Sequence, residues 1–330
     1  MKTLILLCFF LTLPLTAWAQ KAKEAAAVTY PAISADIIAR RKDDQKLRFK
    51  YIKLIQKGKQ ATKKFKALTE ELQATDRDNT NRMREIMAEI GWPTYDKVGR
   101  YASNTAWLLV QHADRQPQFQ AQCLPLLKAA VDAEQATPSN YAYLYDRVRK
   151  SRGEKQYYAT QPADNRVTGE KSFVTIEDEP GVQQRREAMG IEQTISDYAT
   201  SMGFSYQVPD VETAEKREKD RQKMVADYLG KARAAVVVGD HQEAAENYLH
   251  ASFYYGYLTA EDYVAGARAM ALAENKSYAS TAIYHLMKAA LRGYAGHASF
   301  ATSEDFAFLR TARPENWSDL MALVGEVNGE

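Results

Sequence analysis

Cysteine is almost absent from this chain: Cys8 and Cys123 are the full complement of its 330 residues. So few thiols exclude a disulfide scaffold and any C-x-x-C redox or zinc motif. Cys123 sits among apolar residues in Gln122-Cys123-Leu124-Pro125-Leu126-Leu127, which predicts a small buried core residue rather than a nucleophile. Beyond the N-terminus no run approaches the ~20 apolar residues of a membrane helix. There is no Gly-rich phosphate loop ending in Lys-Ser/Thr, no G-x-S-x-G elbow and no H-E-x-x-H. The acidic loop Glu177-Asp178-Glu179 lacks the spacing of a calcium loop. Charge of one sign is not in excess either, with 44 Lys and Arg against 42 Asp and Glu, so no general attraction to nucleic acid is expected.

What is present begins with a secretory signal. Lys2 supplies the charged start, and Leu4 to Leu15 an apolar stretch broken only by Thr12 and Pro14. Ala17-Trp18-Ala19 then forms a cleavage site that predicts a mature start at Gln20 and a periplasmic or secreted, soluble product. Cys8 lies within the apolar stretch and not at the cleavage site, which argues against a lipoprotein. The balanced net charge hides one concentration: Arg40 to Lys66 holds twelve Lys or Arg and two Asp. The bland reading is a solvated helix face. The sharper one is weak contact of Arg40–Lys66 with an anionic surface.

The periodicity is helical nearly throughout. Residues 20–69 read as a loose basic leader followed by a helix from about Ala35 to Gln73, with Gly58 as an interruption. Thr75 or Asp76 is placed to cap a second helix, Arg77 to Ile90, which Gly91-Trp92-Pro93 ends. Gly99 to Ala113 is apolar nearly all round, as in a buried helix. Phe119–Ala136 and Ser139–Lys150 follow. Phe173, Val174 and Ile176 have strand character and suggest a small hairpin with Gln156 to Thr160. A last helix of this domain, 70–205, would run from Pro180 to about Met202. Tyr206 to Asp210 marks a boundary.

Beyond it, residues 210–330 show four Ala- and Tyr-rich helices, 223–238, 241–258, 260–274 and 278–292. Their first and third turns, Gly239-Asp240 and Asn275-Lys276, lie about 35 residues apart, near the period of a tetratricopeptide repeat. The expected fold is therefore mostly α: an N-terminal helical domain with a small β-hairpin, then antiparallel helix pairs with a C-terminal cap.

Gln111, His112, Asp114, Asp146, Arg147 and Gln161 stand inside or beside these apolar stretches, and buried polar groups need partners. In a structural reading, Asp114 and Arg147 form a buried pair while Gln111 and Gln161 satisfy backbone groups. In a functional reading, His112 is a general acid or base, with an ordinary pKa near 6.5. Asp146 orients it or a water, and Arg147 holds an anionic substrate group. Asp114 and Gln161 complete the candidate set. No cofactor is implied. With one histidine and one buried-type cysteine in the domain, a zinc site is not expected.

The residues Asp76, Gly91-Trp92-Pro93, Gly99, Trp107, Gln111-His112-Ala113-Asp114, Asp146-Arg147, Gln156-Tyr157 and Thr160-Gln161 resemble a bacterial family catalogued as domain of unknown function 6624. The resemblance covers about residues 70–200, and Arg185-Arg186 with Met189-Gly190-Ile191 extend it. It departs at Ala159, where the family pattern is similar to Tyr-Gly-Thr-Gln. If that glycine lets a ligand approach, Ala159 narrows the approach. The tail resembles the segment that closes some tetratricopeptide arrays, through Lys288–Tyr294, Asp305–Arg310 and Trp317–Leu320. That second resemblance implies a protein or peptide partner held by residues 210–330. The expected function is a binding or scaffold module; the alternative is a metal-independent hydrolase or transferase centred on His112.

Overall fold

The computed structural model describes residues 28–165 and 168–328. The signal peptide and the mature start at Gln20 lie outside them. The described chain is mostly α-helical, with one small two-stranded antiparallel sheet. It forms two compact units, residues 1–144 and 145–330.

The first unit is built on a helical hairpin. α1 (Pro31–Gln56) starts with proline in its first turn, where a missing N–H costs nothing. Gly58, with φ +65°, turns the chain. α2 (Lys63–Ile90) opens at Thr62, whose Oγ1 accepts the Phe65 amide at 3.2 Å. α2 runs unbroken through Asp76, so the expected helix start at Thr75 or Asp76 does not exist. No Gly or Pro stands between Lys59 and Ile90 to interrupt it. The break falls instead at Gly58. Ion pairs lace the two helices: Arg40 to Asp78 at 2.6 Å, Arg82 to Asp36 at 2.6 Å and Arg48 to Asp76 at 2.5 Å.

Gly91, at φ +67°, ends α2 ahead of Trp92-Pro93. The short α3 (Tyr95–Val98) then leads into α4 (Arg100–Gln111). Both α1 and α2 pack against α4. Ile37, Met83, Ile86, Ala106 and Val110 are fully enclosed in this unit. α5 (Pro117–Asp132) carries Cys123, which is buried as expected; burial pushes its thiol up to about 12. α6 (Pro138–Ser151) contains the division between the units.

In the second unit, β1 (Pro162–Asp164) pairs with β2 (Lys171–Phe173), Ala163 opposite Ser172. The expected strand at Gln156–Thr160 is not one. Gln156 makes a single parallel bridge to Ile176, and residues 157–160 wrap around the carboxylate of Asp146. The expected single helix from Pro180 to Met202 is three pieces: a 3-10 turn (Glu179–Gly181), α7 (Val182–Ala188) and α8 (Ile195–Ser201). Gly190, at φ +66°, lies between α7 and α8.

α9 (Val211–Val237) begins at Asp210, which accepts the Thr213 amide at 2.7 Å. α10 (His241–Phe253), α11 (Ala260–Leu272) and α12 (Ala279–Leu291) follow, each packed on its predecessor. Small residues at Ala232, Ala245, Ala267 and Ala282 are fully enclosed where these helices meet. α13 (Ala307–Ala312) and α14 (Pro314–Asn328) close the chain over Phe300, Phe306 and Leu320. The start of α9 is tied to the segment before it. Buried Glu179 accepts Tyr206 at 2.7 Å, Arg217 at 3.0 Å and Arg221 at 2.5 Å, and Lys155 pairs with Glu218. Among the described residues no helix is long and apolar enough to cross a membrane.

Candidate functional site

His112 is the first residue past α4 and caps its C-terminus. The helix ends two residues short of the expected Ala113, so Asp114 lies beyond it. The ring of His112 turns toward α1. Its Nδ1 is 3.0 Å from Oδ1 of Asp44, a fully buried carboxylate one turn before Arg48. The same oxygen accepts Nε of Arg48 at 2.9 Å, and its partner oxygen accepts the Gln45 amide at 2.7 Å. Arg48 reaches on to Asp76 of α2 at 2.5 Å. Three helical elements thus bring one imidazole, one guanidinium and two carboxylates together.

The two carboxylates differ. Burial pushes Asp44 up, but the hydrogen bond and charge of His112, with the charge of Arg48, reverse this and hold it at about 2. Burial pushes Asp76 up to about 7, opposed by Arg48 and reinforced by the negative charges of Asp44 and Asp114. Arg48 is bonded to both carboxylates, and with a neutral imidazole these four side chains sum to one negative charge. A proton on His112 or on Asp76 removes it. The contact of Nδ1 with Asp44 favours the tautomer in which Nε2 is the basic nitrogen of the neutral ring.

Asp44, Asp76 and His112 each offer a ligand atom within 4.8 Å of the others, a donor set of the kind that holds divalent cations. Arg48, however, is bonded to both carboxylates and already supplies positive charge between them, so the set suits protons better than a metal ion. A search for histidine and cysteine alone overlooks this trio. Asp44 and Arg48 fall in the lysine-rich stretch, where they read as ordinary surface charge. The signal that finds them is their i,i+4 spacing beside Leu47 on the apolar side of α1.

Asp114 is exposed, which overturns the expected buried pair with Arg147. It accepts the buried Gln120 side chain at 3.3 Å. The same Gln120 amide donates to the carbonyls of Val110 and Gln111, each at 3.1 Å, tying down the end of α4 next to His112.

Asp146 and Gln161 belong to the second unit, and Arg147 stands half-buried beside Asp146 on α6. Asp146 is fully buried. It accepts the amides of Tyr157 at 2.7 Å, Tyr158 at 3.0 Å and Thr160 at 3.0 Å, and the Thr160 hydroxyl at 2.9 Å. Burial raises its pKa and these four donors oppose the rise. Gln156 donates to the carbonyls of Gln161 and Val174 and accepts the Gln161 amide at 2.8 Å. The fully buried Arg186 donates to the carbonyls of Tyr158 and Ala159, and Arg185 to that of Tyr157. Asp146, Gln156, Gln161 and the basic pair thus fix the loop 156–161.

Ala159 takes φ +52° at a fully enclosed position, its methyl group in the core with Phe173, Ile176 and Tyr198. A left-handed backbone explains a glycine there without invoking ligand approach. The loop presents Tyr157 and Tyr158, which meet edge to face at 5.0 Å and both lie near Tyr145.

No curated protein and no solved structure matched this chain. One family model did, over residues 31–208, more than half of the chain. That span takes in both the carboxylate–imidazole group and the loop 156–161. It begins at α1, and so includes Asp44 and Arg48, which a resemblance traced from residue 70 leaves out. The chain therefore belongs to the family of unknown function DUF6624.

Proposed function

We propose that the first unit carries a metal-independent acid–base site for a hydrolase or transferase reaction, centred on His112. The observation that carries this reading is the contact of His112 Nδ1 with buried Asp44 at 3.0 Å, beside a second carboxylate pushed up to about 7. Nε2 of His112 takes a proton from an attacking water or hydroxyl. Asp44 holds the ring and offsets the charge of the imidazolium, the role that sequence reasoning gave to Asp146. Asp76 in its protonated form is a proton donor near neutrality; Arg48 lowers both carboxylates, and His112, which lowers Asp44, sets them apart in pKa.

Two measurements test this. Imidazole nitrogen NMR of the full chain should find the Nδ1–H tautomer of His112 at alkaline pH and a change of protonation between acid and alkaline pH. A panel of chromogenic esters, phosphoesters and glycosides should show turnover that His112→Ala removes. A ring whose protonation never changes sinks the proposal, as does turnover indifferent to His112.

The second reading is the binding role expected of residues 210–330. It is supported by successive helix packing from α9 to α12 and by the exposure of Val236, Val237 and Val238 at 45%, 85% and 78%. Stacked helix pairs of about tetratricopeptide length offer faces for extended peptides or helices. Affinity capture with the full chain and a Val237→Asp, Val238→Asp variant tests it. Identical partners from both would remove the valines from consideration.

A further inference from the structure

From Gln45 to Thr69 the chain has nine Lys or Arg and no Asp or Glu. This stretch is the far end of the α1–α2 hairpin. It has its own small core: Leu47, Leu68 and Leu72 are buried, with Tyr51 and Leu54 packed on them, and Tyr51 stacks on Phe65 at 4.9 Å. Apart from Arg48, which pairs with Asp44 and Asp76, everything basic faces outward. Lys50, Lys53, Lys57, Lys59, Lys63 and Lys64 are all exposed. Among the described residues, none of these six pairs with an acidic side chain. Nearer the body of the same two helices, Arg40, Arg48 and Arg82 are each held by carboxylates.

On α1, Lys46, Phe49, Lys50, Lys53 and Lys57 fall within a stripe about 100° wide, turned away from the side chains that form the small core. Phe49 is 56% exposed at one edge of that stripe, with the ammonium of Lys53 6.0 Å from its ring centre. So dense a cluster of unpaired like charge repels itself and lowers stability unless an opposite charge answers it.

We propose that this hairpin tip is a docking surface for an anionic phospholipid bilayer. Three features select that occupant. The charges past Arg48 are all lysine: compact, flexible point charges that suit a diffuse surface, whereas arginine suits planar, bidentate recognition. They cover both helices and the turn between them, so a flat surface meets them together. An exposed phenylalanine among lysines suits the headgroup boundary, where an aromatic ring can enter while ammonium groups stay with the phosphates. The tip docks reversibly and crosses nothing.

The test is co-sedimentation of the full chain with phosphatidylglycerol–phosphatidylcholine vesicles and with pure phosphatidylcholine vesicles, at low and high salt. Binding should need phosphatidylglycerol and weaken as salt rises. Each lysine near an anionic surface contributes about fivefold in affinity. The quadruple variant Lys53→Gln, Lys57→Gln, Lys59→Gln, Lys63→Gln should therefore lose at least ~10-fold, with a melting temperature no lower than that of the native chain, since all four side chains are exposed and their mutual repulsion is relieved. Phe49→Ser should weaken binding at high salt more than at low salt. Equal binding to both vesicle types overturns the proposal, and so does a quadruple variant that binds like the native chain. Retention by a nucleic-acid duplex with no vesicle binding would overturn it in favour of a different polyanion.

Discussion

Replacing Asp146 with asparagine removes almost no volume, yet it should damage the second unit severely. Every neighbour of that carboxylate is a donor: three backbone N–H groups and one hydroxyl, at 2.7–3.1 Å. An asparagine keeps one accepting oxygen and turns an NH2 group toward N–H groups that cannot accept from it. With its oxygen at the Oδ1 place it strands both Thr160 donors, and at the Oδ2 place the Tyr157 amide, and either way its own NH2 group is left facing donors in a fully buried place. A stranded buried polar group costs about 1–3 kcal/mol, so the loss should be about 3–5 kcal/mol. Asp146→Ala should cost a similar amount. Thr160→Val should cost only about 1–2 kcal/mol, since the carboxylate keeps its three backbone donors.

The assay is urea unfolding of the full chain combined with hydrogen exchange. The chain has two compact units, so a global transition alone does not report on this loop. Exchange of the Tyr157, Tyr158 and Thr160 amides reads it directly. They should be protected in the native chain and exchange much faster in Asp146→Asn. An asparagine variant within about 1 kcal/mol of the native chain, with those amides still protected, would refute the reasoning, since ordinary surface changes fall in that range.

Other outcomes follow from the same geometry. Gly153 has φ +73°, and an added Cβ would lie 2.2 Å from the hydroxyl of buried Tyr263; Gly153→Ala should lower stability by about 2–4 kcal/mol in thermal unfolding. At Ala159, left-handed strain of about 1 kcal/mol opposes the burial of one methyl group and the entropy of glycine. Ala159→Gly should then shift stability by less than about 1 kcal/mol, measured by urea unfolding. Asp76, raised to about 7, holds a proton in the folded state that the unfolded chain has already released above its ordinary value near 4. Its contribution to stability therefore falls as pH rises from about 4 to 7. Asp44, held at about 2, stabilises above its ordinary value and loses that contribution as pH falls toward 2. Asp76→Asn should flatten the pH dependence between about 4 and 7 and leave the acid limb in place; a native chain whose stability is flat across that window would contradict this.

The helical class, the turn at Gly91-Trp92-Pro93 and the buried Cys123 were legible because each depends on local pattern. Apolar spacing sets a helix, Gly and Pro end it, and an apolar neighbourhood buries a thiol. The misplaced features depend on partners far along the chain. Asp76 looks like a cap by its flanking residues, but Arg48, 28 positions earlier, turns it into one arm of an ion pair within an unbroken helix. Residues 156–160 look like a strand because Tyr and Thr favour one, but Asp146 gathers their amides into a loop. The candidate site was half legible. The Gln-His-Ala-Asp motif marks the end of α4 and finds His112, yet the groups that set its chemistry lie in a stretch whose composition speaks only of charge.

The two buried carboxylates, Asp146 and Asp44, show why burial alone does not mark a working site. Asp146 meets four donors fixed by backbone geometry, and none of them exchanges a proton near neutrality. Its surroundings have one favourable state, and that state holds a loop in place. Asp44 meets an imidazole and an arginine shared with a second carboxylate, so one proton has two places to go, His112 or Asp76. A group in which a proton can sit at either of two places can accept and return it without rearranging the backbone, which is what acid–base chemistry asks of it. The distinction has an experimental sign. Changing Asp146 to asparagine should speed exchange of the 157–160 amides and lower stability, while the part of the pH dependence between about 4 and 7 that Asp76 gives stays in place. Changing Asp44 to asparagine should reshape that curve, because the charge and hydrogen bond that hold His112 and help to raise Asp76 are then gone. If the Asp44 variant merely lowers the curve without changing its shape, the Asp44 group is a structural brace, and the acid–base reading fails with it.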